Sequence, residues 1–384
     1  MDAGKAYDVA VIGAGVFGAW TAYLIRRAGA RVILIDQYGA GNKRASSGGE
    51  TRIIRTGYGP DELYSRSAAR SLELWCDFAE QVDQPLLHRT GVLWLAREED
   101  TYSMSTLATF ERLNVAFERL TETELEGRFP QIKSGQIAWA ILELNAGVLM
   151  ARQGVHAVAE AAIRDGVTYV EESVLPPKGN GWLESVATTA GRQISAATFV
   201  FACGPWLPKI FPEILGQLIH VTRQEVFYFE VPESDNRFAP PAMPVWIDFN
   251  DLVYAIPDVA GCGFKIAIDA HGPEFDPDTG DRAATSKGLE AVRRYLSLRV
   301  PALADAPLLG SEVCQYENTS NGDFLIDRHP RLKNVWLVGG GSGHGFKHGP
   351  AVGEYVLGRI SGGSEFEPRF SLAAKAANHR RSVF

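Results

Sequence analysis

The stretch Gly13-Ala14-Gly15-Val16-Phe17-Gly18 constrains this chain more than any other. It stands between a buried-strand run, Tyr7 to Ile12, and a helix-like segment from Phe17 to about Ala28 that ends at Gly29. Arg31 to Asp36 then reads as a second strand. Strand, glycine turn, helix and strand form a βαβ unit, which implies a parallel sheet with a right-handed crossover. In G-x-G-x-x-G the first glycine permits a tight turn and the second lets backbone approach a pyrophosphate. The third lets helix and strand pack closely. The helix N-terminus supplies N–H groups and a positive dipole end for phosphate. Asp36 follows Gly18 by 36 − 18 = 18 residues, where a carboxylate accepts hydrogen bonds from ribose hydroxyls. It disfavours a 2′-phosphate, so FAD or NAD is expected rather than NADP. The alternative is a structural βαβ unit with no ligand.

A second glycine-rich segment chooses between the two cofactors. Residues 334–360 read as strand, glycine loop and helix, and the loop contains Gly339-Gly340-Gly341-Ser342-Gly343-His344-Gly345-Phe346-Lys347. So many glycines before a helix suit a ligand lying on the backbone. A reduced flavin carries negative charge near N1, which a helix N-terminus stabilises. FAD is therefore the expected cofactor, against a plain turn as the alternative.

The rest of the chain suggests two domains, as its 384 residues require. Asp61 to Phe78 reads as a helix with Leu63, Ala68, Leu72 and Trp75 on its apolar side. Residues 91–96 read as a strand, 102–127 as helical stretches, 150–165 as a helix, and 168–172 and 198–204 as strands. Residues 216–270 are β-rich and 281–299 helical. The expected fold class is α/β plus α+β: a Rossmann-like FAD-binding domain with an inserted β-rich substrate domain. The discontinuous FAD-binding domain is assigned to 1–83, 147–215 and 311–371, the substrate domain to 84–146 and 216–310, and a tail to 372–384. The basic tail end, His379 to Arg381, reads as a solvated terminus.

Composition removes several function classes. Net charge is 38 − 46 = −8, which argues against a general affinity for nucleic acid or anionic lipid. Cys76, Cys203, Cys262 and Cys314 form neither a CxxC pair nor a metal-ligand cluster, so no metal is expected. No apolar run reaches the ~18 residues of a membrane span. The start, MDAGKAYDVAVIG, leaves no room for a secretory leader. A cytoplasmic, soluble protein with reduced thiols is the expectation.

Further blocks resemble the monomeric sarcosine oxidase family, with its N-methyltryptophan, fructosyl amino acid and pipecolate oxidase relatives. They are Glu50-Thr51-Arg52-Ile53-Ile54-Arg55, Tyr254 before a proline turn, Gly263-Phe264-Lys265, Cys314-Gln315-Tyr316 and Gly343-His344-Gly345-Phe346-Lys347. The resemblance covers nearly the whole chain. It implies that Cys314 carries FAD as a thioether at the flavin 8α-methyl. It implies that Lys265 lies near flavin N5 and activates oxygen, and that Arg52 packs against the flavin. Arg55 and Lys347 would bind the substrate carboxylate, with Tyr254 and Tyr316 as walls of the substrate cavity. Thr51, Gly343, Gly345 and Phe346 join Gly13, Gly15, Gly18 and Asp36 on the cofactor side. The residue types agree with these roles: Arg55 and Lys347 lie beside glycine-rich turns, and two converging cations clamp a carboxylate. Lys265 sits in an apolar strand pattern, where an unpaired lysine is costly.

Two departures bear on the substrate. Asp269, with His271 two residues later, stands where the family's sarcosine oxidases have a histidine, and Gly48 stands where they have another. A carboxylate facing the pocket would repel a simple carboxylate and attract a second amine or hydroxyls. The expected activity is FAD-dependent oxidation of a small carboxylated amine (N-methyl, cyclic imino or glycated amino acid) to an imine, with O2 reduced to H2O2, by a monomer. The alternatives are a flavin dehydrogenase using a quinone or carrier protein, and a catalytically silent flavin-binding subunit.

Overall fold

The computed structural model describes residues 6–232 and 234–377. The first residues of the chain and the basic tail end, His379 to Arg381, lie outside the described residues.

The opening motif organises the first of two large sheets. Its order is Leu325–Arg328, Val335–Gly339, Gln193–Phe201, Tyr7–Ile12, Val32–Asp36 and Thr168–Glu171, with Ser185–Ala187 pairing off that path. Tyr7–Ile12 pairs in parallel with both Val32–Asp36 and Gln193–Phe201, and the latter in parallel with Val335–Gly339. Both glycine turns therefore leave the sheet at the same carboxyl edge, where ligands of open α/β sheets bind. The expected helix runs over Val16–Arg27. Trp20 packs edge-on against Trp75 of the helix Glu62–Val82, with ring centroids 5.0 Å apart. Both indoles are almost fully buried, and burial of a large apolar side chain stabilises by about 1.5–3 kcal/mol.

The second sheet has eight strands in the order Leu308–Thr319, Ile219–Phe229, Phe264–Ile268, Val253–Ile256, Val245–Asp248, Val92–Ala96, Trp139–Glu143 and Phe117–Thr121. Cys314 opposes Gln224, Tyr228 opposes Lys265, and Ala267 opposes Tyr254. Because side chains alternate along a strand, this register puts Lys265, Tyr254, Cys314 and Tyr316 on one face. A third sheet joins Thr51–Ile54, Gly147–Met150 and Leu87–His88.

The mixed α/β architecture is the one expected, with differences in detail. The stretch 102–127 holds two helices, Thr101–Leu113 and Glu122–Arg128, with the strand Phe117–Thr121 between them. Helix 281–299 starts later, at Ser286, where the Thr285 side chain accepts from the Gly288 N–H as an N-cap. Leu308–Thr319 pairs with Ile219–Phe229 over most of its length, so the boundary expected at 310/311 falls inside a strand.

Candidate active site

A cavity of about 510 Å³ opens at the carboxyl edge of the first sheet, lined among others by Gly13, Gly15, Asp36, Arg52, Cys314 and Gly343. Each glycine of the opening motif has a separate physical cause. Gly13 has φ +103°, and a Cβ there would meet the Ala202 carbonyl oxygen at 2.3 Å. A Cβ on Gly18 would overlap the Gly13 carbonyl oxygen at 1.7 Å. Gly15 differs: its Cβ would meet only Ser47 Oγ, at an ordinary 3.5 Å. The protein's own packing does not require a glycine there, so the bare backbone is kept for something that fills the cavity. Ser47 Oγ also accepts from the Val16 N–H at 3.1 Å, holding the helix start.

Asp36 sits at the end of its strand, with Oδ2 accepting from the Ala14 N–H at 2.7 Å and Oδ1 from the Tyr38 N–H at 2.8 Å. A carboxylate has about four acceptor sites, so capacity for ribose hydroxyls remains. The backbone cradle, the carboxylate and the second glycine turn fit FAD together. Gly343 in that turn has φ +81° and lies against the Tyr316 ring, while a Cβ on Gly345 would meet Gly341 Cα at 2.8 Å.

A second, smaller cavity of about 80 Å³ adjoins the first, and Arg52, Cys314, Tyr316, Gly343 and Phe346 line both. Arg55, Glu225, Tyr254, Lys265, Asp269 and Lys347 are also in its wall. The structure thus brings these residues together from distant segments of the chain. Arg52 Nη2 donates to the Ser46 carbonyl at 2.6 Å and lies 3.3 Å from Cys314 Sγ. Lys265 is 1% exposed and donates from Nζ to the Thr51 carbonyl at 2.8 Å. Thr51, expected on the cofactor side, lines neither cavity: its carbonyl holds Lys265, and its buried Oγ1 has no hydrogen-bond partner among the described residues. Burial, reinforced by the Arg52 charge, pulls the Lys265 ammonium down to about 7.

Arg55 is buried, donates to the Gly57 carbonyl, and lies over Tyr58 and Trp94, with Cζ 4.5 Å and 4.8 Å from the ring centroids. Lys347 Nζ donates to Tyr58 Oη and to the His344 carbonyl, each at 2.9 Å. Burial, and then the Arg55 charge, hold Lys347 well below the ordinary lysine range. Asp269 Oδ1 accepts from the Tyr316 hydroxyl at 2.6 Å. Burial pushes Asp269 up to about 6, opposed by that hydrogen bond and by the charges of Arg55, Lys347 and Lys265.

Several site residues escaped the sequence reading. Tyr58 Oη also meets His348 Nε2 at 2.7 Å and His344 Nδ1 at 3.1 Å, and His348 Nδ1 meets Ser67 Oγ at 2.9 Å. Because His344 Nε2 faces the Gly322 carbonyl at 3.0 Å, that nitrogen carries the proton in a neutral ring and Nδ1 accepts from Tyr58. Glu143, buried behind Arg55, accepts from the Thr56 N–H at 2.7 Å. Glu317, buried in the wall of the larger cavity, accepts from the Gly341 N–H at 3.2 Å. Only His344 lay inside a motif block. The others are single residues in unremarkable runs, and no local signal marks them.

The profile of the FAD dependent oxidoreductase (DAO) family matches residues 8–359. The chain belongs to that family. The monomeric sarcosine oxidase of Arthrobacter sp. (strain TE1826) is 30% identical to it over 362 residues, 92% of each chain. The peroxisomal sarcosine oxidase of Homo sapiens is 30% identical over 380 residues, 96% of this chain and 94% of the relative. Among solved structures, L-proline dehydrogenase from P. horikoshii superposes with a TM-score of 0.82 at 22% identity, covering 95% of this chain and 96% of that one. At that identity the likeness is one of fold. The resemblance stated on the motif blocks therefore holds, and this member of the FAD-dependent oxidoreductase family is an enzyme. Among its described residues no group of three or more side chains is arranged to hold a metal ion, and no helix is long and apolar enough to cross a membrane.

Proposed function

We propose that this oxidoreductase oxidises a small carboxylated secondary amine or amino acid derivative to an imine, with O2 reduced to H2O2. The observation that carries this reading is the shared wall of the two cavities. One side is a backbone cradle for FAD, and the other sets four basic residues, Arg52, Arg55, Lys265 and Lys347, and two tyrosines around a volume of about 80 Å³. The relatives named as sarcosine oxidases and N-methyl-L-tryptophan oxidases support the same class of C–N bond.

Gly13 and Gly15 would receive the pyrophosphate, with Gly18 letting the helix pack close behind them, and Asp36 the ribose; Gly343, Gly345 and Phe346 would hold the flavin end, with the Thr51 carbonyl holding Lys265 near it. FAD, when bound, supplies the chemistry of accepting a hydride equivalent from the substrate α-carbon and passing electrons to O2. Arg55 and Lys347 bind the substrate carboxylate, and its arrival favours protonation of Lys347. Tyr254 and Tyr316 wall the cavity and exclude water around the reacting carbon. Lys265 presents a cation where negative charge develops on oxygen. Arg52 would lie beside the flavin, and its guanidinium, 3.3 Å from Cys314 Sγ, would hold that sulfur in place for a covalent link to FAD. We further propose that the chain divides between its two large sheets and acts as a monomer.

The test is a panel of N-methyl, cyclic imino and glycated amino acids with peroxide detection. Peroxide release with a small member is expected; flavin bleaching without peroxide would assign the electrons to another acceptor. For the covalent link, yellow colour should stay with the acid-precipitated polypeptide and leave it in Cys314→Ala.

A further inference from the structure

The smaller cavity is not uniformly cationic. Asp269 is 9% exposed and lines it together with Arg55, Lys265 and Lys347. Its Oδ1 is taken by the Tyr316 hydroxyl at 2.6 Å, which leaves Oδ2 as the oxygen with which it can receive a ligand in the cavity that it lines. The titratable and charged groups facing it come from every surrounding segment. They are Tyr316, Tyr254 and Glu225 on other strands of the same sheet, Arg52 and Arg55 on and just after Thr51–Ile54, Lys347 and His344 in the second glycine turn, and Lys265 on the strand that leads to Asp269. A ligand whose carboxylate pairs with Arg55 and Lys347 brings a second negative charge into this small volume, and like charges in a desolvated site repel. A hydroxyl would satisfy Oδ2 as a hydrogen-bond donor. Only a cation would also offset the charge.

We propose that Asp269 is a specificity-determining residue whose Oδ2 receives an ammonium group of the substrate, so that the cavity selects a carboxylate and an ammonium together. The inference rests on the carboxylate clamp proposed above and adds the group that the clamp does not read. The ammonium has two possible sources: the reacting amino group, or a second amine on the substrate side chain.

Two ligand pairs that exchange an ammonium for a methyl group separate these sources. Glycine against propionate reports the α-ammonium, and 2,3-diaminopropionate against 2-aminobutyrate reports a second amine. Anaerobic titrations of the holoenzyme, read by the visible spectrum of the flavin, give the affinity ratio within each pair. Every ligand carries the same carboxylate, so titration of Lys347 or Lys265 cancels in the ratio. The expected result at neutral pH is a preference of about thirtyfold or more for the ammonium member of at least one pair, lost in Asp269→Asn.

A second measurement needs no variant. Asp269 is pushed up to about 6, so it is ionised above that pH and neutral below, while an α-ammonium stays charged up to about 8. The preference should therefore be present at neutral pH and fade as the pH falls through about 6. No preference in either pair, a preference that survives in Asp269→Asn, or a ratio that stays flat through pH 6 would each overturn the inference. If none of the four ligands perturbs the flavin, the carboxylate clamp falls as well.

Discussion

The two cavities of this enzyme are built from different materials. The larger is made of backbone: two glycine turns at one sheet edge, with Asp36 as its most telling side chain. The smaller is made of side chains that seven separate segments deliver, and its properties reside in charge: Lys265 and Lys347 with lowered proton affinity, Asp269 with raised affinity. A backbone site is specified locally, because a turn and its helix lie within one short stretch. A side-chain site is specified only by the register and order of the sheet that assembles it. The first should fail when space is filled and the second when charge is removed.

The sharpest way to break that contrast is Gly15→Val. Gly15 has an ordinary φ of −69°, and a Cβ there makes only a normal contact with Ser47. The apoprotein should lose about 1 kcal/mol or less at this helix start, while FAD retention is abolished. Thermal unfolding of the apoprotein and the flavin content of purified chain measure the two effects. A variant that still carries full flavin would show that Gly15 does not face the cofactor.

In the side-chain cavity, Arg55→Ala should raise KM for a carboxylated substrate by the equivalent of roughly 2–5 kcal/mol, the cost of removing one partner of a desolvated charge pair. Lys347→Ala should cost less, because burial and Arg55 already hold that lysine toward its neutral form. Equal effects would show that both enter binding as full cations.

Lys265→Met keeps the volume and deletes the charge. Reoxidation of the reduced flavin by O2 should slow by about 10²–10³, with anaerobic reduction by substrate changing much less. In the unmodified enzyme the same step should slow as pH rises above about 7, where Lys265 loses its proton, and the variant should lack that dependence. Stopped-flow traces of the two half-reactions decide it.

The smallest expected effect is on ligand binding. Lys347 takes up a proton as a carboxylate arrives, so affinity for a simple carboxylate should rise as pH falls, by at most about tenfold per unit. Asp269 adds to the rise near pH 6 by becoming neutral. A flat profile would place Lys347 outside the clamp.

The same contrast explains what the sequence made legible. Gly13 to Asp36 could be read from spacing alone, because turn, helix dipole and carboxylate act over neighbouring residues. Phe117–Thr121 was not recognised as a strand: its sequence, FERLT, carries two charges, and it is a strand because it forms the sheet edge beside Trp139–Glu143. Lys265, Cys314 and Arg55 were assigned to one site only through resemblance to a family. Nothing within their own stretches places residues that far apart against one cavity. Tyr58 and His348 lie 290 positions apart and meet at 2.7 Å, a contact that only the folded chain makes.

The account turns on electrons leaving a carboxylated amine for FAD and then O2. Anaerobic mixing of the holoenzyme with a small N-methyl or cyclic imino acid, followed by admission of air, tests it in one cuvette. The flavin absorbance should bleach, return with air, and leave one H2O2 for each amine consumed. A flavin that stays oxidised with every carboxylated amine, while bleaching with an uncharged amine of the same size, would contradict it.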